Sequence, residues 1–493
     1  MRMPTWLIVS IVLAATLTAC TPNEAFRKSA ALPAVPCKSA APASFPVDCR
    51  QAITETTPAY DLHFVEFDDQ GWTYPETADA GGNAPKDESA QQLRLVMERL
   101  NAALQKQLAR KQSLRVYVYV HGWKHNAAFD DDNVVNFRDF LDEAAQYEDV
   151  AQSGNRIVGI YVGWRGKSLD LTEPWISATF WDRKSVAQHV AVGSVRELTA
   201  QLRAFQRQAN RTEPGTEAKN VSPGDQRVRI HMIGHSFGGL ALYAAVSQSL
   251  VYSFVSGEDI DGKTAPVERL GDMIVLINPA FEATRYQPLD RVARNRTYDA
   301  YQAPVFVAIT SEADAATGKL FPLGRTINTI LESEKTRVER DANRNTPGHI
   351  DAYLTHSLDV AGTGTRECQG WNPDPASQLE MAANIRLEYM NSQVFKSYLV
   401  NDRWPLDASG KPQPREYCGK LRLTPLTGAS GQYRNTDPNM PLWNLTVSAE
   451  IIPGHNDINT PIFRAFLRQL FRDEDFNAPA RKAAPPAKVQ LPR

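Results

Sequence analysis

Strand-like and helix-like segments alternate through the middle of this 493-residue chain. Parallel strands need long crossover connections, which are usually helices, so this alternation predicts βαβ units in an α/β fold. We expect a mostly parallel central sheet flanked by helices, with the functional residues at the carboxyl ends of the strands. Hydrophobic periodicity predicts strands at 62–67, 114–120, 156–162, 228–233, 273–277, 304–309 and 442–452, and helices at 91–111, 134–147, 185–210 and 461–471.

The N-terminus has the pattern of a secretory signal peptide. Residues 1–19 have a basic residue, Arg2, near the start and continue in an apolar stretch that is short for a membrane span. The end of this segment, Leu17-Thr18-Ala19-Cys20, resembles the bacterial lipobox. That resemblance implies a lipid on Cys20 and a place in the bacterial cell envelope, and Thr21 after the Cys favours the outer membrane. A plain signal peptide and an uncleaved membrane helix are the alternatives.

Composition limits the function and the domain boundaries. The formal net charge of -2 provides no field that would attract nucleic acid, so we expect no nucleic-acid partner. Residues 20–58 are rich in Ala and Pro and predict a flexible tether, 59–476 one large domain, and 477–493 a disordered tail. An even number of Cys after residue 20 favours disulfides in an exported chain, with Cys37–Cys49 and Cys368–Cys418 preferred among three connectivities.

The clearest chemical motif follows the predicted strand at 228–233. Gly234-His235-Ser236-Phe237-Gly238 has the G-x-S-x-G pattern, and a helix-compatible run follows it directly. Small residues on both sides allow a serine at such a turn to adopt a strained backbone and present its hydroxyl. A glycine-rich turn that closes on a helix or holds a phosphate is the alternative. The strand-turn-helix context favours Ser236 as a nucleophile.

With this motif the chain resembles the α/β-hydrolase family, in which an acid and then a histidine follow the serine. The resemblance implies that the acid lies after strand 304–309, where Asp314 is preferred and Glu312 is the second candidate. It implies that the base follows the last strand, where His455 stands. His349 and His356 are rivals for the base, but they lie between the last two strands.

The same resemblance implies two backbone donors for an oxyanion. One is the amide of Phe237, which follows the nucleophile. The other is the amide of Trp123, because His121-Gly122-Trp123 resembles the H-G-x oxyanion loop of the family. His121, Gly122, Gly234 and Gly238 are then supporting residues, and Gly122 would allow the close approach of this loop.

A long insertion separates Asp314 from the last strand. It covers about residues 320–440, and we expect it to form a cap over the active site. The aromatic residues Trp164, Trp175, Phe180 and Trp181, with Trp371 and Trp404 in the insertion, either line an apolar pocket or pack the cap on the core. The acidic run 130–132 lacks the EF-hand spacing and is expected to cap the next helix.

These features predict a serine hydrolase that cleaves carboxylic esters, lipid or small-molecule, through an acyl-enzyme. The expected partners are an ester substrate and the membrane that holds Cys20. No cofactor or metal is expected, since the chain has no H-E-x-x-H motif and no C-x-x-C pair. An acyltransferase or peptidase on the same fold is one alternative, and a non-catalytic surface lipoprotein is another.

Overall fold

The computed structural model describes residues 24–37, 46–74, 91–166, 180–211, 226–256, 267–298, 304–329, 332–361, 407–408, 411, 413–417, 421–427 and 439–475. The strands are β1 Thr54–Thr56, β2 Tyr60–Phe67, β3 Leu114–Val120, β4 Arg156–Trp164, β5 Val228–His235, β6 Met273–Ile277, β7 Phe306–Ser311, β8 His356–Val360, β9 Arg415–Tyr417, β10 Leu421–Pro425 and β11 Leu442–Val447. The helices are α1 Val47–Gln51, α2 Gln91–Leu108, α3 Asp132–Val150, α4 Phe180–Val190, α5 Arg196–Ala209, α6 Phe237–Val255, α7 Ala283–Arg294, α8 Phe321–Asn328, α9 Arg337–Arg344 and α10 Pro461–Asp475.

The strands form one sheet in the order β1-β2-β4-β3-β5-β6-β7-β11-β8-β10-β9. The eight neighbouring strands from β2 through β11 to β8 pair in parallel. At one side of the sheet β1 pairs antiparallel with β2, and at the other side β10 pairs antiparallel with β8 and β9. The predicted α/β fold with a mostly parallel sheet flanked by helices is therefore confirmed. The carboxyl ends of β3, β5, β6, β7 and β11 meet at one edge of the sheet, which we call the carboxyl edge.

Alternating side chains of the central strands form two cores, one on each face of the sheet. In β3, Val116, Val118 and Val120 face the core that includes the apolar sides of α2, α5 and α6. The intervening Tyr117 and Tyr119 face the core built with α3 and α10. Successive side chains of a strand point to opposite faces, and a strand buried on both faces therefore has an almost continuous apolar sequence.

Two predicted boundaries differ from the structure. The helix predicted at 185–210 is divided into α4 and α5 by a turn at Ala191–Val195, where Gly193 leaves helical geometry. A Cβ at Gly193 would lie 2.7 Å from the carbonyl oxygen of Gly71, so the two chain segments approach closely. The strand predicted at 442–452 ends at Val447 because Ile451 and Ile452, although fully buried, lie in a turn closed on Ser448.

The segment predicted as a flexible tether, residues 20–58, is packed on the sheet in its described parts. Ser29 bridges Ala52, and β1 pairs with β2 at the sheet edge. The side chain of Arg27 is fully buried and donates to Glu55, and a disulfide joins Cys37 to Cys49. The expectation was wrong for residues 24–37 and 46–58 because a few long-range polar contacts, which composition does not reveal, order an Ala- and Pro-rich stretch. Cys20 lies outside the described residues.

The insertion at about 320–440 also differs from the expected cap. Its described residues include β8, β9 and β10, which extend the sheet beyond β11. Helices α8 and α9 precede these strands, and α8 lies at the carboxyl edge. The insertion therefore enlarges the sheet as well as adding helices. Trp175, Trp371, Trp404 and the Cys368–Cys418 pair lie outside the described residues.

Helix α6 is the one described helix whose length and hydropathy would allow it to cross a membrane. It is a core helix: Leu240, Leu242 and Leu250 are fully buried against the sheet and its neighbours. Its apolar character follows from burial inside the α/β layers. The polypeptide enters it through the turn that carries Ser236.

Candidate active site

Ser236 occupies a strained turn between β5 and α6. Its backbone has φ 54° and ψ -119°, a conformation that costs a non-glycine residue free energy. The turn is held from both sides, since the Ser236 amide donates to the Ile277 carbonyl and the Ser236 carbonyl accepts from Ala280 and Leu240. The neighbouring strand and the first turn of α6 thus maintain the geometry that presents the hydroxyl.

Glycines permit the close packing around this turn. A Cβ at Gly238 would lie 2.1 Å from the carbonyl oxygen of Val120, and one at Gly234 would lie 2.8 Å from the carbonyl oxygen of Gly238. A Cβ at Gly122 would lie 2.9 Å from the Cβ of Ser236. The first turn of α6 therefore rests on the end of β3, and the loop after β3 lies directly against Ser236.

Three side chains that are far apart in the sequence form a hydrogen-bonded series at the carboxyl edge. The Nε2 atom of His455 lies 2.7 Å from Oγ of Ser236, and its Nδ1 atom lies 2.8 Å from Oδ2 of Asp314. Because the carboxylate can only accept, Nδ1 carries a proton and Nε2 is left to accept from the serine hydroxyl. This arrangement can remove a proton from Ser236 and deliver it to another atom.

Asp314 is almost completely buried at the start of the turn after β7. Its Oδ1 atom accepts from the amides of Ala316 and Thr317, and its Oδ2 atom also accepts from the Thr317 hydroxyl. Burial raises the pKa of Asp314, but the hydrogen bonds from His455 and Thr317 and the electrostatic attraction to the His455 ring lower it below the usual value. The carboxylate is therefore ionised at neutral pH. Glu312, the second candidate acid, is exposed and its side chain lies near Thr446 instead.

The two rival histidines occupy other positions. The Nε2 atom of His349 lies 3.0 Å from the Thr317 hydroxyl, so His349 is connected to Asp314 through Thr317. Since Thr317 gives its only hydroxyl proton to the carboxylate, His349 must donate to Thr317. His356 is buried in β8 beside Thr355 and Trp443. Among the described histidines, His455 is the one that hydrogen-bonds the Ser236 hydroxyl.

Burial lowers the pKa of His356 to about 3, with a smaller contribution from the charge of Arg415. An unfolded histidine takes up its proton near pH 6.5, so the unfolded state gains protons first as the pH falls. We expect the free energy of unfolding to decrease as the pH falls from 6.5 to about 3. In His356→Gln the dependence of this free energy on pH is expected to be smaller by up to about 1.4 kcal/mol per pH unit. Urea unfolding at several pH values measures this, and parallel curves for the two proteins would contradict it.

The backbone of His455 is held by two buried side chains that sequence analysis did not select for this role. Its carbonyl oxygen lies 2.9 Å from Nε2 of His235 and 2.9 Å from Nδ2 of Asn278. Burial lowers the pKa of His235 to about 3, so this neutral ring donates from Nε2. The Oδ1 atom of Asn278 accepts from the Ser311 amide at the end of β7. Asn278 thus connects the ends of β6 and β7 to the loop that carries His455.

Asn278 has φ 46°, and it directly follows β6. A polar residue between a buried strand and Pro279 is a sequence signal for a carboxyl-edge position. The signal does not identify the bonding partner, because His455 is 177 residues away.

The loop 121–123 is held in place by the ring of His121. Its Nε2 atom accepts from the Trp164 amide at 3.0 Å, and its Nδ1 atom donates to the Gly122 carbonyl. The ring also stacks on Trp164 at 5.4 Å. Burial lowers the pKa of His121 to about 4, in agreement with a neutral ring that both accepts and donates. Among described residues, neither the Trp123 amide nor the Phe237 amide has a hydrogen-bond acceptor.

Aromatic rings form one wall next to the serine. Phe180 lies 4.7 Å from the ring of Phe237, and it also contacts Trp123 and Trp181. Phe321 in α8 packs against Phe180 and Trp181. Trp164 lies beneath this wall, buried against His121. The described aromatic residues therefore join α4 and α8 to the turn that carries Ser236.

Asp131 performs the expected capping role at α3, since its side chain accepts from the Asn133 amide at 2.9 Å. Among the described residues no group of three or more His, Cys, Asp or Glu side chains could hold a metal ion.

Comparison with known proteins does not add a relative. No protein-family model, no curated protein and no solved structure matches this chain. The functional interpretation therefore depends on the geometry of the site.

Proposed function

We propose that the protein is a serine hydrolase of the α/β-hydrolase type that cleaves carboxylic esters. The observation that carries this proposal is the continuous series from Ser236 through His455 to Asp314, with distances of 2.7 and 2.8 Å. The strained backbone at Ser236 supports it, because such strain occurs where a side chain must be presented to a substrate.

In the proposed reaction, Oγ of Ser236 attacks the ester carbonyl carbon while His455 accepts the hydroxyl proton. The carbonyl electrons move to oxygen, and the amides of Trp123 and Phe237 are the proposed donors to that oxyanion. Collapse of the intermediate breaks the bond to the alcohol, which leaves with the proton from His455. Water then attacks the acyl-serine with His455 as base, releasing the carboxylic acid and restoring Ser236.

Asp314 has a separate role in this reaction. As an ionised carboxylate it keeps the proton of neutral His455 on Nδ1 and stabilises the imidazolium that forms after proton transfer. We also propose that Cys20 carries a lipid and that the protein acts at the bacterial cell envelope, a proposal supported by the sequence Leu17-Thr18-Ala19-Cys20.

Labelling with a fluorophosphonate probe tests the nucleophile. The wild-type protein is expected to form a covalent adduct, and Ser236→Ala is expected to form none, because the probe phosphorus bonds to the activated oxygen. Ser249→Ala is a matched control, since Ser249 lies on the same helix between three and four turns beyond the site. Equal labelling of wild type and Ser236→Ala, detected by in-gel fluorescence, would refute the proposal.

A further inference from the structure

The described chain begins at the same edge of the sheet as Ser236. The amides of Phe26 and Arg27 donate to the Glu66 carboxylate at 3.0 and 2.8 Å, and Glu66 lies at the carboxyl end of β2. The Nε atom of Arg27 donates to Ala127, in the loop that follows β3. The chain then runs toward the amino ends of the parallel strands, where the Cys37 amide donates to the Thr56 carbonyl.

Chain length limits how far Cys20 can lie from the carboxyl edge. Three strand spacings separate β2 from β5 in the sheet order, which is about 14 Å at ~4.8 Å per spacing. Four residues extend from Cys20 to Glu24, where the described chain begins, and they span at most about 14 Å when fully extended. A lipid on Cys20 would therefore keep the carboxyl edge close to the bilayer surface.

Exposed apolar side chains occur at this edge. Trp72, in the turn after β2, is 64% exposed, and Val192, in the break between α4 and α5, is 60% exposed. The two lie close together because Gly71 contacts both His189 and Gly193. Phe26 is also exposed, as are Leu320 and Leu323 beside α8. Exposed aromatic and aliphatic side chains around an attachment point are suited to contact with lipid.

We propose that the carboxyl edge lies against the bilayer that holds Cys20 and that the ester substrate is a lipid of that same bilayer. This inference rests on the proposed hydrolase function and on lipidation of Cys20. The contact is mainly apolar, in agreement with the formal net charge of -2, which offers no general attraction to an anionic surface. Lipid esters reach Ser236 by a short displacement out of the membrane.

The direct test uses the full-length lipidated protein reconstituted in phosphatidylcholine vesicles. A fluorogenic diacyl phospholipid is placed either in the vesicles that carry the protein or in separate protein-free vesicles. We expect hydrolysis to be at least about tenfold faster when the phospholipid shares the vesicle, because attachment raises the effective concentration of the site at that surface. Equal rates would overturn the inference.

A water-soluble ester, 4-nitrophenyl acetate, separates this inference from the proposed function. Hydrolysis of the soluble ester without hydrolysis of the bilayer phospholipid would overturn the inference and leave the proposed function standing. Failure to hydrolyse either ester, together with absent fluorophosphonate labelling, would refute both. In a further outcome, hydrolysis is faster for phospholipid in the membrane that carries the protein when that membrane is native, but not when it is a pure lipid vesicle. This result would indicate a protein partner at this edge and would also overturn the inference.

Paired variants test the surface itself. Trp72→Ser with Val192→Ser is expected to lower hydrolysis of the bilayer phospholipid by about tenfold through lost apolar contact, with 4-nitrophenyl acetate hydrolysis unchanged. The matched control is Tyr252→Ser with Val255→Ser, which are similarly exposed at the far end of α6. The control is expected to hydrolyse both esters as the wild type does. Equal phospholipid rates for the two paired variants would contradict the proposed docking.

Discussion

Replacing His455 by alanine is expected to lower kcat for a carboxylic ester by about 10³- to 10⁴-fold. The ring is the one described base that hydrogen-bonds the Ser236 hydroxyl, so its loss leaves the nucleophile protonated. Asp314→Asn is expected to have an effect of similar size, because an amide at this position favours the wrong histidine tautomer. Steady-state kinetics with 4-nitrophenyl acetate measure both, and KM is expected to change much less than kcat.

Two controls make this prediction specific. Glu312→Gln alters the exposed neighbouring carboxylate and is expected to leave kcat within about twofold, as most exposed substitutions have small effects. In the double variant Asp314→Asn with His455→Ala, kcat is expected to be at most about tenfold lower than in the slower single variant. The two losses do not multiply because the two residues act as a unit. A kcat for His455→Ala close to that of the wild type would show that another group is the base.

Removing the Glu55 carboxylate is expected to lower the free energy of unfolding by about 3–5 kcal/mol. Glu55 is fully buried between two arginines, with Nη1 of Arg27 at 2.8 Å and Nη2 of Arg138 at 2.7 Å. In Glu55→Ala both guanidinium groups stay charged and lose their shared anion in a site that excludes water. Urea unfolding followed by far-UV circular dichroism measures the change.

A partly exposed pair provides the control for this network. Arg156 and Asp61 form an ion pair at 2.9 Å, and both side chains keep about a fifth of their exposure. Water screens such a pair, so Asp61→Asn is expected to cost about 1 kcal/mol or less. Similar losses for Glu55→Ala and Asp61→Asn would mean that burial of the Arg27–Glu55–Arg138 network contributes no additional stability.

The central sheet could be predicted because its strands are buried on both faces and their apolar runs are distinctive. Strand β3 has the predicted bounds, and Gly234-His235-Ser236-Phe237-Gly238 spans the predicted junction of a strand and a helix, with Ser236 at the turn. Strands β8, β9 and β10 were not predicted, because they lie toward the edge and combine short lengths with polar residues. Their pairing partners decide their structure, and local sequence does not identify those partners.

The positions of Asp314 and His455 after their strands follow the chain order that the α/β-hydrolase resemblance implies, and the structure joins Asp314 to Ser236 through His455. The residues that hold these two side chains in place could not be predicted. Thr317 and Asn278 are common polar residues whose roles depend on atoms far away in the sequence. His349 also illustrates this limit, since it competes with His455 in the sequence but lies beside Thr317, on the far side of Asp314, in the structure.

The packed N-terminal segment also has a consequence for solubility. An open sheet ends in strands whose unpaired backbone groups can join another chain and start aggregation. Here the Ile53 amide donates to Ser29 and the Cys37 amide donates to Thr56, so residues 29–37 cover the outer side of β1. A shortened chain that starts at residue 59, the domain boundary suggested by composition, would lose both β1 and this cover. The stretch with the composition of a linker therefore occupies backbone groups at the sheet edge with which a second copy could otherwise pair.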